Sequence, residues 1–71
     1  MFDKRGTGTD LLNLAELFRL LGQFRRSLRC VRRAVWNYER AEAVGLLVQA
    51  RSRLREASRI VALAEFDSRL N

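Results

Sequence analysis

The sequence has no proline and no histidine, a single cysteine, a single lysine and four glycines among its 71 residues. Each shortage excludes something. Without proline, no helix is broken by ring geometry, so any break must come from glycine, asparagine or a local left-handed turn. Without histidine, the usual near-neutral acid–base group and the commonest zinc ligand are both missing. The lone Cys30 cannot close an internal disulfide. No apolar run approaches the ~18–20 residues of a membrane span. The best segment, Leu11 to Leu21, is interrupted by Asn13, Glu16 and Arg19. It also lacks the small-residue cleavage site of a secretory leader, so a soluble, cytoplasmic setting is expected. A single apolar core in so short a chain supplies only ~3–5 kcal/mol. With no disulfide or zinc clip available, close helix packing, self-association or a partner must make up the rest.

What the chain does have is positive charge. Lys and Arg outnumber Asp and Glu by 14 to 8, a formal net charge of +6, and every cation except Lys4 is an arginine. Such an excess favours anionic partners, whether nucleic acid or acidic peptide, with a membrane surface the weaker fit. Guanidinium forks suit phosphate and carboxylate and also stack on rings. A genome that favours arginine codons would leave the same bias.

Helix is the only regular structure the pattern supports. Residues 1–9 are Gly, Thr and charge without periodicity, and read as a flexible lead-in to a single helical domain over 10–69. Thr7, Thr9 or Asp10 can cap a first helix that runs to Leu21, where Gly22 offers a left-handed C-cap. Beyond it Phe24, Leu28, Val31, Val35 and Tyr38 recur at helical spacing. Two divisions of the remainder stay open. A turn near Asn37 to Arg40 gives four helices, at about 10–21, 24–36, 40–50 and 54–68. If the second helix runs on toward Gln49, there are three.

An internal echo favours the first division. Leu11, Leu14, Ala15, Phe18, Gly22, Phe24, Ser27, Val31 and Ala34 have counterparts thirty residues on in Ala41, Val44, Gly45, Val48, Ser52, Leu54, Ala57, Val61 and Ala64. That is the pattern of two antiparallel hairpins, 10–36 and 40–68, crossing closely at Ala15 with Ser27 and at Gly45 with Ala57.

This spacing of small and large residues resembles the tetratricopeptide repeat, although its period is 30 rather than the family's 34 and no proline closes a unit. The resemblance implies stacked helical hairpins with a concave groove that receives a peptide. Leu12, Glu16 and Arg19, with Glu42, Leu46 and Gln49 thirty residues on, would line that groove. A plain helical bundle fits the composition as well, with the same leucines buried against a second subunit. Leu17-Phe18-Arg19 followed by Leu20-Leu21 also resembles the opening of the LYR family of small mitochondrial accessory proteins, with Phe in place of Tyr.

The second helix carries a basic flank of Arg25, Arg29, Arg32 and Arg33 beside Trp36, with Arg29 and Arg32 placed to lie on the indole. This set is the candidate anion-binding site, fitted to phosphates with a stacked base or to an acidic peptide. The other reading is a solvated face whose arginine stems cover a half-buried tryptophan. No side chain sits in a nucleophile or general-base setting, no glycine loop cradles phosphate, and no cofactor or metal is implied. The expectation is therefore not an enzyme. It is a small basic helical adaptor for protein–protein interaction, self-associating or completed by a partner, with an Arg-rich nucleic-acid-binding accessory protein as the alternative.

Overall fold

The computed structural model describes residues 3–70, and among them every regular element is helical. Helix α1 spans Lys4–Leu20, α2 spans Phe24–Arg40 and α3 spans Val44–Leu70. α1 and α3 both pack antiparallel against α2 and touch each other little. The body is elongated and thin, 47 × 19 × 14 Å. No helix among the described residues is long and apolar enough to cross a membrane.

α1 begins six residues earlier than the sequence pattern suggests. Asp3 is its N-cap, the carboxylate accepting from Gly6 N–H at 3.0 Å, so neither Thr7, Thr9 nor Asp10 caps it. Residues 4–9 thus form the opening turns of a helix. Two glycines and two threonines make this stretch a poor helix by propensity, and tertiary packing on Tyr38 holds it.

Gly22 takes the expected left-handed conformation, φ 75°. Gln23 N–H donates to Phe18 C=O at 2.8 Å and Gly22 N–H to Arg19 C=O at 3.0 Å, the paired bonds of a Schellman cap. The same cap recurs twenty residues on. Ala43 N–H donates to Tyr38 C=O at 3.0 Å and Glu42 N–H to Glu39 C=O at 3.2 Å, with Glu42 at φ 53°. Among the described residues the helices number three, as in the second expected division, but α2 does not run on toward Gln49. The break falls at residues 41–43, after Asn37 and Arg40 and before Gly45. Asn37 stays helical, its amide donating to Arg33 C=O at 2.7 Å. Gly45 lies in the first turn of α3, where a Cβ would meet nothing within 4 Å.

The second hairpin, expected over 40–68, is replaced by one helix. The echo pairs Gly22 with Ser52, and Ser52 continues α3 between good helix formers, so nothing there reverses the chain. Gly45 and Ala57 therefore lie on one helix and cannot cross. The first expected crossing is present: Ala15 and Ser27 are both buried, and Ser27 Oγ donates to Ala15 C=O at 2.8 Å. Small residues there let the two backbones approach closely.

The core has two adjoining clusters. Val35, Tyr38, Ala43 and Ala50 form one, and Ala15, Cys30 and Val31 the other, with Leu12 and Leu54 packed on both. The expected stripe on α2 is therefore its buried face, only Phe24 being partly exposed.

Glu42 gives a direct test of the second cap. A non-glycine residue in the left-handed region costs roughly 1–2 kcal/mol, part of which glycine returns as chain entropy. Glu42→Gly should therefore gain about 0.5–1 kcal/mol, raising the melting temperature by roughly 2–8 °C for a domain of this size. A thermal melt by circular dichroism checks this, and an unchanged or lower melting point would show that the turn is built otherwise.

Candidate functional site

Three surfaces leave the core with side chains able to bind something: a groove between α1 and α3, an apolar end, and the outer face of α2. In the groove, α1 contributes Ala15, Glu16 and Arg19, α2 contributes Ser27 and Val31, and α3 contributes Arg53, Glu56 and Ile60, around a volume of about 280 Å³. Its floor is small or apolar and its mouth alternates in charge. Arg19 Nε donates to Glu16 Oε2 at 3.1 Å. That hydrogen bond holds the Glu16 carboxyl below its ordinary range, outweighing the opposing effect of desolvation, with the charges of Arg19 and Arg53 adding to it. The Arg19 guanidinium is raised by the same bond and by the charge of Glu16, with Glu56 adding to it. Opposite charges on α1 and α3 thus face each other across the mouth, and the groove has no net preference for an anion.

Of the groove set expected from the sequence, the structure brings only Glu16 and Arg19 to this place. Leu12 and Leu46 are half-buried and packed on the core. A charge at either would test folding instead of docking. Glu42 occupies the α2–α3 turn, and Gln49 is exposed on α3. The far wall is instead Arg53, Glu56 and Ile60, because the chain reverses after 41–43 and α3 then runs back along all of α2. A thirty-residue offset could not find them.

The apolar end was not singled out by the sequence pattern. Leu14, Leu17 and Leu21 lie at spacings of three and four on one side of α1 and are 41%, 58% and 68% exposed. Leu63, Phe66 and Leu70 repeat that spacing on the last turns of α3, each at least 59% exposed. Arg25 pairs with Glu65, and Gly22 and Ser68 line one shallow depression. Both stripes therefore lie at the end of the molecule where α1 turns into α2. The signal was available as an i, i+3, i+7 pattern, but only the three-helix topology shows that the two stripes share an end.

On α2, Arg25, Arg29, Arg32, Arg33 and Trp36 are all exposed. Two ion pairs occur among the described residues, Glu16–Arg19 and Arg25–Glu65. Arg25 is therefore partly neutralised, while Arg29, Arg32 and Arg33 are not. The cations on the Trp36 ring differ from those expected. Lys4 Nζ lies 4.4 Å from the ring centroid and the Arg40 guanidinium 5.0 Å, in place of Arg29 and Arg32. Lys4 reaches the ring because α1 starts early enough to lie beside the end of α2. Each exposed cation–π contact is worth about 0.5–1 kcal/mol, whereas a base stacked on an aromatic ring is worth ~1–3 kcal/mol. A depression of about 420 Å³ opens beside the ring, lined by Lys4, Thr7, Arg33, Trp36 and Asn37.

Cys30 is buried against Ala15 and Val31 and belongs to the core. Among the described residues no group of three or more His, Cys, Asp or Glu is placed to hold a metal ion. Comparison with protein-family models, with curated proteins and with solved structures finds no match to this chain.

Proposed function

We propose that this chain is a small basic helical adaptor that docks another protein, and that it self-associates or is completed by that partner. The observation that supports this reading is the exposure of two apolar stripes, Leu14–Leu17–Leu21 on α1 and Leu63–Phe66–Leu70 on α3, toward the same end of the three-helix body. Exposed apolar residues grouped in stripes mark interaction surfaces, whereas singly scattered leucines do not. Stripes at helical spacing suit a partner helix laid along them.

Light scattering coupled to size exclusion tests the self-associating form. The wild type is expected to run as a dimer and Leu17→Glu as a monomer. Leu17 is 58% exposed, so its replacement should leave the melting temperature of the monomer unit nearly unchanged. A wild type that stays monomeric at high concentration, indistinguishable from Leu17→Glu, overturns that form.

A further inference from the structure

The geometry points to a second binding function on the outer face of α2, away from the apolar end: we propose that Arg29, Arg32, Arg33, Lys4 and Arg40 hold the phosphates of a short single-stranded nucleic acid while one base stacks on Trp36. Three observations carry this. First, α1 and α3 both lie against the inner side of α2, which leaves the arginine-bearing side as an exposed ridge. Along it Arg29, Arg32, Arg33, Trp36 and Arg40 recur on one side over about three turns. At 1.5 Å per residue the ridge from Arg29 to Arg40 is about 17 Å long, the reach of roughly four nucleotides and the low end of known single-strand site sizes.

Second, the ridge is largely free of counter-charge. Neither ion pair among the described residues involves Arg29, Arg32, Arg33, Arg40 or Lys4. Glu39 is the one acid on α2 and Glu65 is engaged by Arg25. Third, Trp36 is 49% exposed and lines the depression formed with Thr7, Arg33 and Asn37. A base entering there takes the place of the Lys4 ammonium at the ring, and Lys4, on a flexible stem, moves to the adjoining phosphate. The Asn37 amide nitrogen is held by Arg33 C=O, which leaves its side-chain oxygen as an acceptor at the rim. A double helix presents no such unstacked base, so the arrangement selects single strands over duplex.

Trp36 is the only tryptophan, so its fluorescence reports the site directly. The probes are a fluorescein-labelled oligothymidylate and an oligouridylate of about ten nucleotides, a duplex of equal length, and vesicles containing phosphatidylserine. Either single strand is expected to raise anisotropy and quench Trp36, and comparing the two separates DNA from RNA as the source. Affinity should fall steeply between about 50 and about 200 mM salt. Arg29→Gln with Arg33→Gln should flatten the slope of log K against log salt by about 1.4, at ~0.7 per lost phosphate contact. Trp36→Leu should weaken single-strand binding about tenfold and leave that slope unchanged.

All three side chains are exposed, and a circular dichroism melt confirms that each variant folds. Equal binding of duplex, unaffected by Trp36→Leu, would overturn the stacking site. Binding of vesicles alone, or no quenching at low salt, would overturn the nucleic-acid assignment altogether. Leu17→Glu should bind oligonucleotide as the wild type does, which separates this surface from the docking end.

Discussion

Tyr38→Ala is expected to leave much of the chain unfolded at room temperature. Tyr38 is 1% exposed and is the one large side chain among the described residues that is essentially sealed from solvent. Its ring joins all three helices. It lies against the bare Cα of Gly8 on α1, shares a cluster with Val35 on its own helix, and packs with Ala43 and Ala50 at and beyond the second turn. Its hydroxyl lies 2.9 Å from Thr9 Oγ1. Removing a buried aromatic ring costs ~3–5 kcal/mol when the site cannot collapse. Gly8, Ala43 and Ala50, which lie against it, have no side chains long enough to fill the space. A core of this size supplies only ~3–5 kcal/mol in total, so the loss is comparable with the whole stability. Tyr38→Phe keeps the ring and loses only the hydroxyl contact, worth about 1 kcal/mol. Urea unfolding followed by circular dichroism separates the cases: a clear transition for Phe and a weak or absent one for Ala. If Tyr38→Ala melts within a few degrees of the wild type, the three helices are not joined through this ring.

Much of this centre was legible in the sequence, and what was not has a physical reason. The stripe Phe24, Leu28, Val31, Val35 and Tyr38 follows one helical period along one helix, so periodicity alone identifies the buried face. Gly22 was legible because glycine is the residue that adopts a left-handed cap without strain. Ala15 and Ser27 were legible as a close crossing because both are small in otherwise bulky surroundings. The turn at 41–43 was hidden because its left-handed residue is Glu42, which no turn propensity marks. Losing that turn moved every later boundary, which turned α3 into a supposed hairpin and misplaced the far wall of the groove. The first turns of α1 were hidden for the opposite reason. Gly6, Thr7, Gly8 and Thr9 are poor helix formers, and their helix is fixed by a residue thirty positions away. The same omission concealed Lys4 as a partner of Trp36, although the exposed arginine ridge beside it was recognisable from spacing.

Gly8 gives the second large effect, and its sign is the informative part. By propensity alone, replacing a helical glycine with alanine stabilises by about 0.8–1 kcal/mol. At Gly8 an added Cβ would lie 2.6 Å from Tyr38 Cε1 and 2.8 Å from Cδ1, closer than real Cβ contacts occur. The ring cannot yield, because Ala43 and Ala50 pack with it on the α3 side and its hydroxyl is held by Thr9. Overpacking of this kind costs ~1–3 kcal/mol, so Gly8→Ala should be destabilising by about 1–2 kcal/mol, a fall of roughly 4–16 °C in melting temperature. Gly45→Ala is the matched control. It lies in the first turn of α3 with open space at the Cβ position, and should be neutral or slightly stabilising. A third measurement isolates the cause. In a Tyr38→Leu background the ring is gone, and Gly8→Ala should then stabilise, so the double-mutant cycle shows a coupling of more than 1 kcal/mol. If Gly8→Ala is equally unfavourable with and without the ring, the cost lies in the α1 backbone and the seat of Tyr38 is elsewhere.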